Sequence, residues 1–285
     1  ADDLAERTGL GEAFMGALFL GGTTSLPGIT ASVAAAADGR GEMALANALG
    51  GIAIQTVFIV VADILYREAN LEHAAASESV LIQSALLITL LSMLLFACLG
   101  PQLTIGHLHP VTLALPAAYL LGLRAIRGSQ SEPMWTPRQT WHTPVKPAPR
   151  REREQWSTRA LWLRLVGAGL LCVAAGWGLT RATESLADVV GLSESVAGGF
   201  ITGVTTSFPE LVIAIAAVRA GALTLAVAGV IGGNAFDTLF AAIADVAYLD
   251  GSIYGAATQD TLVLLTLALL MNAVLLLGQI GRAHV

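Results

Sequence analysis

Gly21-Gly22-Thr23-Thr24-Ser25-Leu26-Pro27-Gly28 returns 182 positions later as Gly203-Val204-Thr205-Thr206-Ser207-Phe208-Pro209-Glu210. The same offset aligns positions 4–63 with 186–245 without a gap, and 23 of those 60 positions are identical. Apolar helices that resemble one another by chance do not match at that rate, so the chain carries an internal repeat, and the repeat decides the architecture before any local motif does.

The solvent around that repeat follows from composition. Of 285 residues 55% are hydrophobic and only 13% charged, against roughly 25% in an ordinary soluble domain. Mean hydropathy is +0.69. So little charge cannot coat a soluble globule of this size, and 30 glycines suit helices that pack closely in lipid. A net charge of −6 with no basic face argues against nucleic acid as a partner. Cys98 and Cys172 sit inside apolar runs and are expected to pack rather than form a disulfide or hold a metal.

Stretches free of Asp, Glu, Lys and Arg cover 13–37, 43–62, 79–123 and 261–281, and each can cross a bilayer, which takes about 20 residues. Gly100-Pro101-Gln102 divides 79–123 into two spans, and three more fall at about 160–181, 187–219 and 222–247. The expectation is an all-α integral membrane protein of eight spans, with the lipid bilayer as its surroundings. Residues 1–124 form a first repeat half of four spans and 160–285 a second of four. Between them, 125–159 is a Pro-rich linker. Nine of the fifteen basic residues lie between Arg124 and Arg164, against three acids, so the positive-inside rule places the linker in the cytoplasm. A bacterial inner membrane is the expected location. Arg40 and Arg181 then fall on the outer side, as exceptions.

Five spans separate the starts of the two copies. Five is odd, so the second copy enters the membrane from the opposite side, and the repeats are expected to be inverted, an arrangement that puts a substrate site at the repeat interface. The offset would pair the spans near 103–124 and 160–181 with segments outside the chain. Eight spans of an inferred ten are therefore expected here.

Pro27 and Pro209 fall mid-span, where each removes a backbone donor and breaks its helix. The carbonyls left without that donor belong to Thr23 and Thr205, and such carbonyls are ligands for hard cations. Thr24, Ser25, Thr206 and Ser207 add hydroxyl oxygens. Glu210 follows Pro209 directly, and Asp237 lies in the next span. Ionised acids at the bilayer centre cost several kcal/mol and are retained for function. Glu210 is 12 residues before a turn near Ala222 and Asp237 is 15 after it. That leaves a depth mismatch of about 4.5 Å, which side chains can close. The result is an oxygen-only cation site, without the His/Cys cluster of a softer metal. Two acids kept protonated in the packing are the alternative.

These residues resemble the membrane region of the sodium/calcium exchangers, within the calcium/cation antiporter superfamily. In that family each repeat carries Gly-x-[Thr/Ala]-Thr-Ser-x-Pro-Glu on a broken helix and Asn-x-x-Gly-Ser-Asn-x-x-[Asn/Asp] on the next, and together they line a group of cation sites. The first signature maps to 21–28 and 203–210, the second to 47–55 and 229–237. The first repeat departs from it: Gly28 replaces the glutamate, Gln55 takes the last polar position, and both signature serines are glycine, Gly51 and Gly233. The resemblance implies a central charge of −2 instead of −3. Glu210 and Asp237, the expected metal ligands, would neutralise one divalent ion, whereas several Na⁺ ions would be less well compensated.

The resemblance thus implies an antiporter that exchanges Ca²⁺, or another divalent cation, for Na⁺ or H⁺. Its site would draw on Thr24, Ser25, Gln55, Thr205, Thr206, Ser207, Glu210 and Asp237, with Asn234 in support. Inorganic cations are the partners, and no cofactor is expected beyond the transported ions. No oligomeric state is legible. A non-transporting membrane scaffold or sensor, suggested by Gly28 and the missing serines, and a passive cation channel remain as rivals. No enzyme constellation is present, neither a Gly-x-Ser-x-Gly elbow nor a phosphate loop nor His-Glu-x-x-His. His107 and His109 are expected to cap or to sit at the interface, with proton coupling the alternative. Asp63 and Asp245, near span ends, are expected to face headgroup water, and Thr56 and Thr238 to bond between helices.

Overall fold

A computed structural model describes residues 24–66, 70–131, 134–135 and 157–280. Their regular structure is helical, with an isolated bridge between Ile105 and Leu108. In chain order the helices are α1 Leu26–Ala37, α2 Gly41–Leu65, α3 Leu71–Ala74, α4 Glu78–Leu99, α5 Pro110–Ser131, α6 Thr158–Val190 and α7 Glu194–Val196. A π-helical turn, Ala197–Thr202, leads into α8 Gly203–Thr206, then α9 Phe208–Arg219 and α10 Leu223–Ala247. A 3₁₀ turn, Ile253–Ala256, precedes α11 Gln259–Ile280.

Five of these helices (α2, α4, α6, α10 and α11) are long and apolar enough to cross a membrane, and counting α7 to α9 as one bent span makes six. The other two expected spans are less complete. α1 is short, and the residues before Thr24 lie outside the described set. α5 is 22 residues long but ends in the polar stretch from Arg124 to Ser131, seven residues into the expected linker. α6 also outruns its expected end near 181. It runs 33 residues to Val190 because its stop signal is Gly191, whose φ of +75° suits a residue without Cβ, and not the charges at Arg181 and Glu184.

The helices reproduce the 182-residue offset. α1 and α9 are displaced by it at both ends, and so are α2 and α10. Each short helix closes with the same turn. Arg40 N–H donates to Ala35 O and Ala222 N–H to Ala217 O, both at 2.9 Å, around Gly39 and Gly221 with φ of +78° and +75°. Beyond the long helices, Asp63 accepts from Leu71 N at 2.6 Å and Asp245 from Ile253 N at 2.7 Å, again equivalent positions.

Asp245 corrects its expectation. It is fully buried rather than facing headgroups, and it also accepts from His109 N (3.0 Å) and Thr112 Oγ1 (2.5 Å). Three donors compensate the buried charge, so this acid ties the connections after α4 and α10 together. His109 caps α5 through Val111 N–H to its Nδ1 at 3.2 Å. Thr56 bonds between helices as expected, whereas Thr238 donates within its own helix to Ala235 O. The two exceptional arginines are neutralised by acids. Arg40 pairs with Asp188 at 2.7 Å and Glu194 at 3.8 Å, and Arg181 with Asp38 and Glu184. The Arg40–Asp188 and Arg181–Asp38 pairs fasten α6 to the α1–α2 turn.

α2 and α10 pack against each other at the centre, with α1 and α9 alongside and α4, α5 and α11 around them. The segment from Ala197 to Thr206 lies directly on α2. Close approach there requires glycine, since a Cβ at Gly50 would stand 2.0 Å from the carbonyl oxygen of Gly199. Gly50→Ala is therefore expected to cost about 1–3 kcal/mol or prevent folding. Gly167→Ala, where a Cβ meets nothing within 4 Å, is the control and should melt like the parent protein in detergent.

Candidate cation site

Ser25 and Ser207 are the residues just before α1 and α9, and Pro27 and Pro209 occupy the first turns of those helices. Proline suits that position because its fixed φ is helical and its missing N–H has no intrahelical partner to lose. The second broken helix bends by 41° between Thr206 and Phe208. Pro209 offers no N–H to the Thr205 carbonyl, and Glu210 sits in the first turn of α9, where the helix dipole favours a negative charge. The equivalent position in α1 is Gly28.

Both breaks face the middle of α2 and α10. Ser25 Oγ donates to Asp237 Oδ1 at 3.0 Å, and Gln55 Nε2 donates to Asp237 Oδ2 at 2.7 Å and to Ser207 Oγ at 3.3 Å. Ser25 and Ser207 are equivalent by the offset, and so are Gln55 and Asp237. The contact Ser25–Asp237 thus has Ser207–Gln55 as its counterpart, and the Gln55–Asp237 bond joins two equivalent residues. Among the described residues, the donors to the Asp237 carboxylate, Ser25 and Gln55, come from the first repeat.

These residues enclose a small cavity, about 10 Å³ as measured to the centre of a water-sized sphere, which is room for one water or one bare ion. Ser25, Gln55, Thr206, Ser207, Glu210 and Asp237 line it. Glu210 Oε2 and Gln55 Oε1 are buried there without a hydrogen-bond partner, and so is Asn47 Oδ1. Buried polar atoms are ordinarily paired. Three orphaned oxygens at one cavity make a place for a cation or a donor. Among the described residues no group of three His, Cys, Asp or Glu side chains is arranged to hold a metal, so the oxygens of this cavity come from two carboxylates together with amides and hydroxyls.

Three expected residues stand off the cavity. Thr24 bonds through its side chain to Glu210. Thr205 is exposed and donates to Ile201 O at 2.6 Å, directed away from the cavity. Asn234 is fully buried and donates to Thr56 Oγ1 at 3.0 Å, which leaves it one turn behind Asp237 in a supporting position. The cavity also has walls outside the expected ligand set, namely Gly28, Asn47 and Gly51, which stand at signature positions, and Phe240, which does not. Helical spacing could have found most of them. Asn47, Gly51 and Gln55 lie at i, i+4 and i+8 on one face of α2, and Phe240 is three residues after Asp237.

A family model described as "Sodium/calcium exchanger protein" matches residues 1–123 and 160–284. The chain belongs to the sodium/calcium exchanger family. Members are secondary transporters rather than enzymes, and cation antiport across a membrane is the activity the family supports. Among curated proteins the chain is 28% identical over 296 residues to the candidate antiporter CaxA of Alkalimonas amylolytica, covering 100% of this chain and 86% of that one. Among solved structures it resembles the sodium-calcium exchanger NCX_Mj soaked with Na⁺ and Sr²⁺, with a TM-score of 0.51 and 20% identity, over 94% of this chain and 79% of that one. That likeness supports the exchanger fold.

The Gln55–Asp237 bond lends itself to measurement. Gln55→Leu strips a donor from a buried carboxylate oxygen and should lower stability by about 1–3 kcal/mol in ion-free detergent solution. In an Asp237→Asn background the same change should cost less. Thermal melts of the four proteins in a double-mutant cycle read the coupling.

Proposed function

We infer that this exchanger-family chain moves Ca²⁺, or another divalent cation, against Na⁺ or H⁺ by alternating access. In this reading the ion binds at the cavity between the α1–α2 and α9–α10 pairs. The observation that carries it is the meeting of Glu210 and Asp237 with the orphaned buried oxygens of Gln55 and Asn47 at one ion-sized space. Two carboxylates buried at membrane depth are costly when empty of a counter-charge, and one divalent ion matches them. The ligand chemistry is that of a hard cation, carboxylate and amide or hydroxyl oxygens without sulfur or imidazole.

Equivalent helices from two copies flank the cavity, and an odd number of crossings between copies would invert one relative to the other. Two inverted halves of similar structure can exchange conformations, which turns an outward-facing cavity into an inward-facing one with the site in place. The protein is integral to the membrane. A bacterial inner membrane with residues 125–159 in the cytoplasm agrees with the basic linker and with the bacterial-type relative.

Purified protein in proteoliposomes should take up Ca²⁺ when an outward Na⁺ or H⁺ gradient is imposed and not when it is collapsed. Glu210→Gln and Asp237→Asn should each reduce that uptake to the level of empty liposomes. Unchanged flux in both variants would remove the site assignment. Uptake without counter-ion dependence would favour a channel, and no flux with any cation would favour a scaffold or sensor.

A further inference from the structure

The two repeats furnish the cavity unequally, and the inequality is concerted. Three positions separated by the same offset differ together: Gly28, Ser32 and Asn47 in the first repeat stand where the second has Glu210, Ala214 and Gly229. The first three are in mutual contact. Asn47 Nδ2 donates to Gly28 O at 3.0 Å and to Ser32 Oγ at 2.8 Å, while Ser32 Oγ donates to Ala44 O at 3.1 Å. The hydroxyl proton of Ser32 is therefore committed to Ala44, and Ser32 can only accept from Asn47. The Gly28 carbonyl can only accept as well. Both constraints place the NH₂ group of Asn47 on that side. Its Oδ1 is consequently turned away from them with no donor, on a side chain 3% exposed that lines the cavity.

Gly28 itself cannot supply a ligand side chain as the helices are packed, since a Cβ there would stand 2.6 Å from Cε2 of Phe240. In the second repeat, Ala214 and Gly229 provide neither the holder nor the amide, and Glu210 reaches the cavity directly. One repeat offers a carboxylate and the other an amide oxygen.

We propose that Asn47 Oδ1 is a direct ligand of the transported cation, the uncharged counterpart of Glu210, with Ser32 as the residue that positions it. This deepens the cation-site reading and rests on it. An amide oxygen coordinates a hard cation as a carbonyl does but adds no charge. The cavity then accepts one divalent ion whose charge is met by Glu210 and Asp237 alone. A third carboxylate at position 47 shifts that match toward a trivalent ion.

Isothermal titration of the purified full chain in detergent, with Ca²⁺ and with La³⁺, tests the proposal in the parent protein, N47A, N47D and S32A. N47A should weaken Ca²⁺ binding about tenfold or more, and S32A should weaken it less. N47D should bind both ions more tightly and raise the preference for La³⁺ over Ca²⁺, a change that a merely structural asparagine would not produce. N47A and N47D both within about twofold of the parent for both ions would overturn the proposal while leaving the cation site standing. A parent protein that binds neither ion would overturn the cation-site reading and this ligand with it. Where ion-free melting shows N47A unfolded, N47D decides alone: a raised La³⁺ preference supports the ligand role, and an unchanged ratio overturns it.

Discussion

A carboxylate shut away from water among apolar helices needs hydrogen-bond donors or a counter-charge, and among the described residues no lysine or arginine lines the cavity of Asp237 to supply one. Its donors are Ser25 and Gln55, contributed by the opposite repeat. Much else follows from satisfying that one group. The break before α1 must bring Ser25 against α10, and α2 must lie close enough to α10 for a 2.7 Å bond. The glycines of α2 and of the π-helical segment in turn let the second broken helix lie directly on α2, which brings Ser207 to Gln55. An ion in the cavity would complete what the donors begin, because the orphaned oxygens of Glu210, Gln55 and Asn47 can accept but have nothing to accept from.

The repeat was the most legible feature of the sequence, since identities at a fixed offset do not depend on where helices begin. The Thr-Thr-Ser-x-Pro segments marked the breaks for a local reason: proline restricts the backbone wherever it stands. Glu210 and Asp237 were conspicuous because charge is scarce between the faces. Less legible were features set by tertiary contact. Asp245 lies close enough to a span end to suggest headgroup water, yet donors from two connections and from Thr112 of α5 draw it inward. Thr205 sits in the motif beside Thr206, but a helix turns successive residues by about 100°, so only one of them can face the cavity. Asn47 opens the second signature, but the direction of its amide is legible only once Ser32 and Gly28 are seen to hold it. The length of α6 was missed because charges at Arg181 and Glu184 resemble a span end, when ion pairs to Asp38 and Arg40 allow the helix to continue past them.

Charge is distributed in two tiers. At the ends of α1 and α6 it is paired acid to base, holding helices together and leaving little free charge. At the cavity it is two acids with no base among the described residues, and that imbalance is what a cation would answer. The unequal repeats set its size: Gly28 and Gln55 stand where a symmetric protein would have placed acids opposite Glu210 and Asp237, and in the proposed reading the resulting two carboxylates suit one divalent ion better than a cluster of monovalent ones.

The central claim, a single cation held between the repeats, is tested most directly by anomalous diffraction from crystals of the protein soaked in Sr²⁺. One strong peak is expected in the cavity, in direct contact with carboxylate oxygens of Glu210 and Asp237 at distances a little longer than the roughly 2.3–2.6 Å of the smaller Ca²⁺, and absent from crystals of Asp237→Asn. A peak confined to another part of the molecule, or one that persists unchanged in Asp237→Asn, would contradict it.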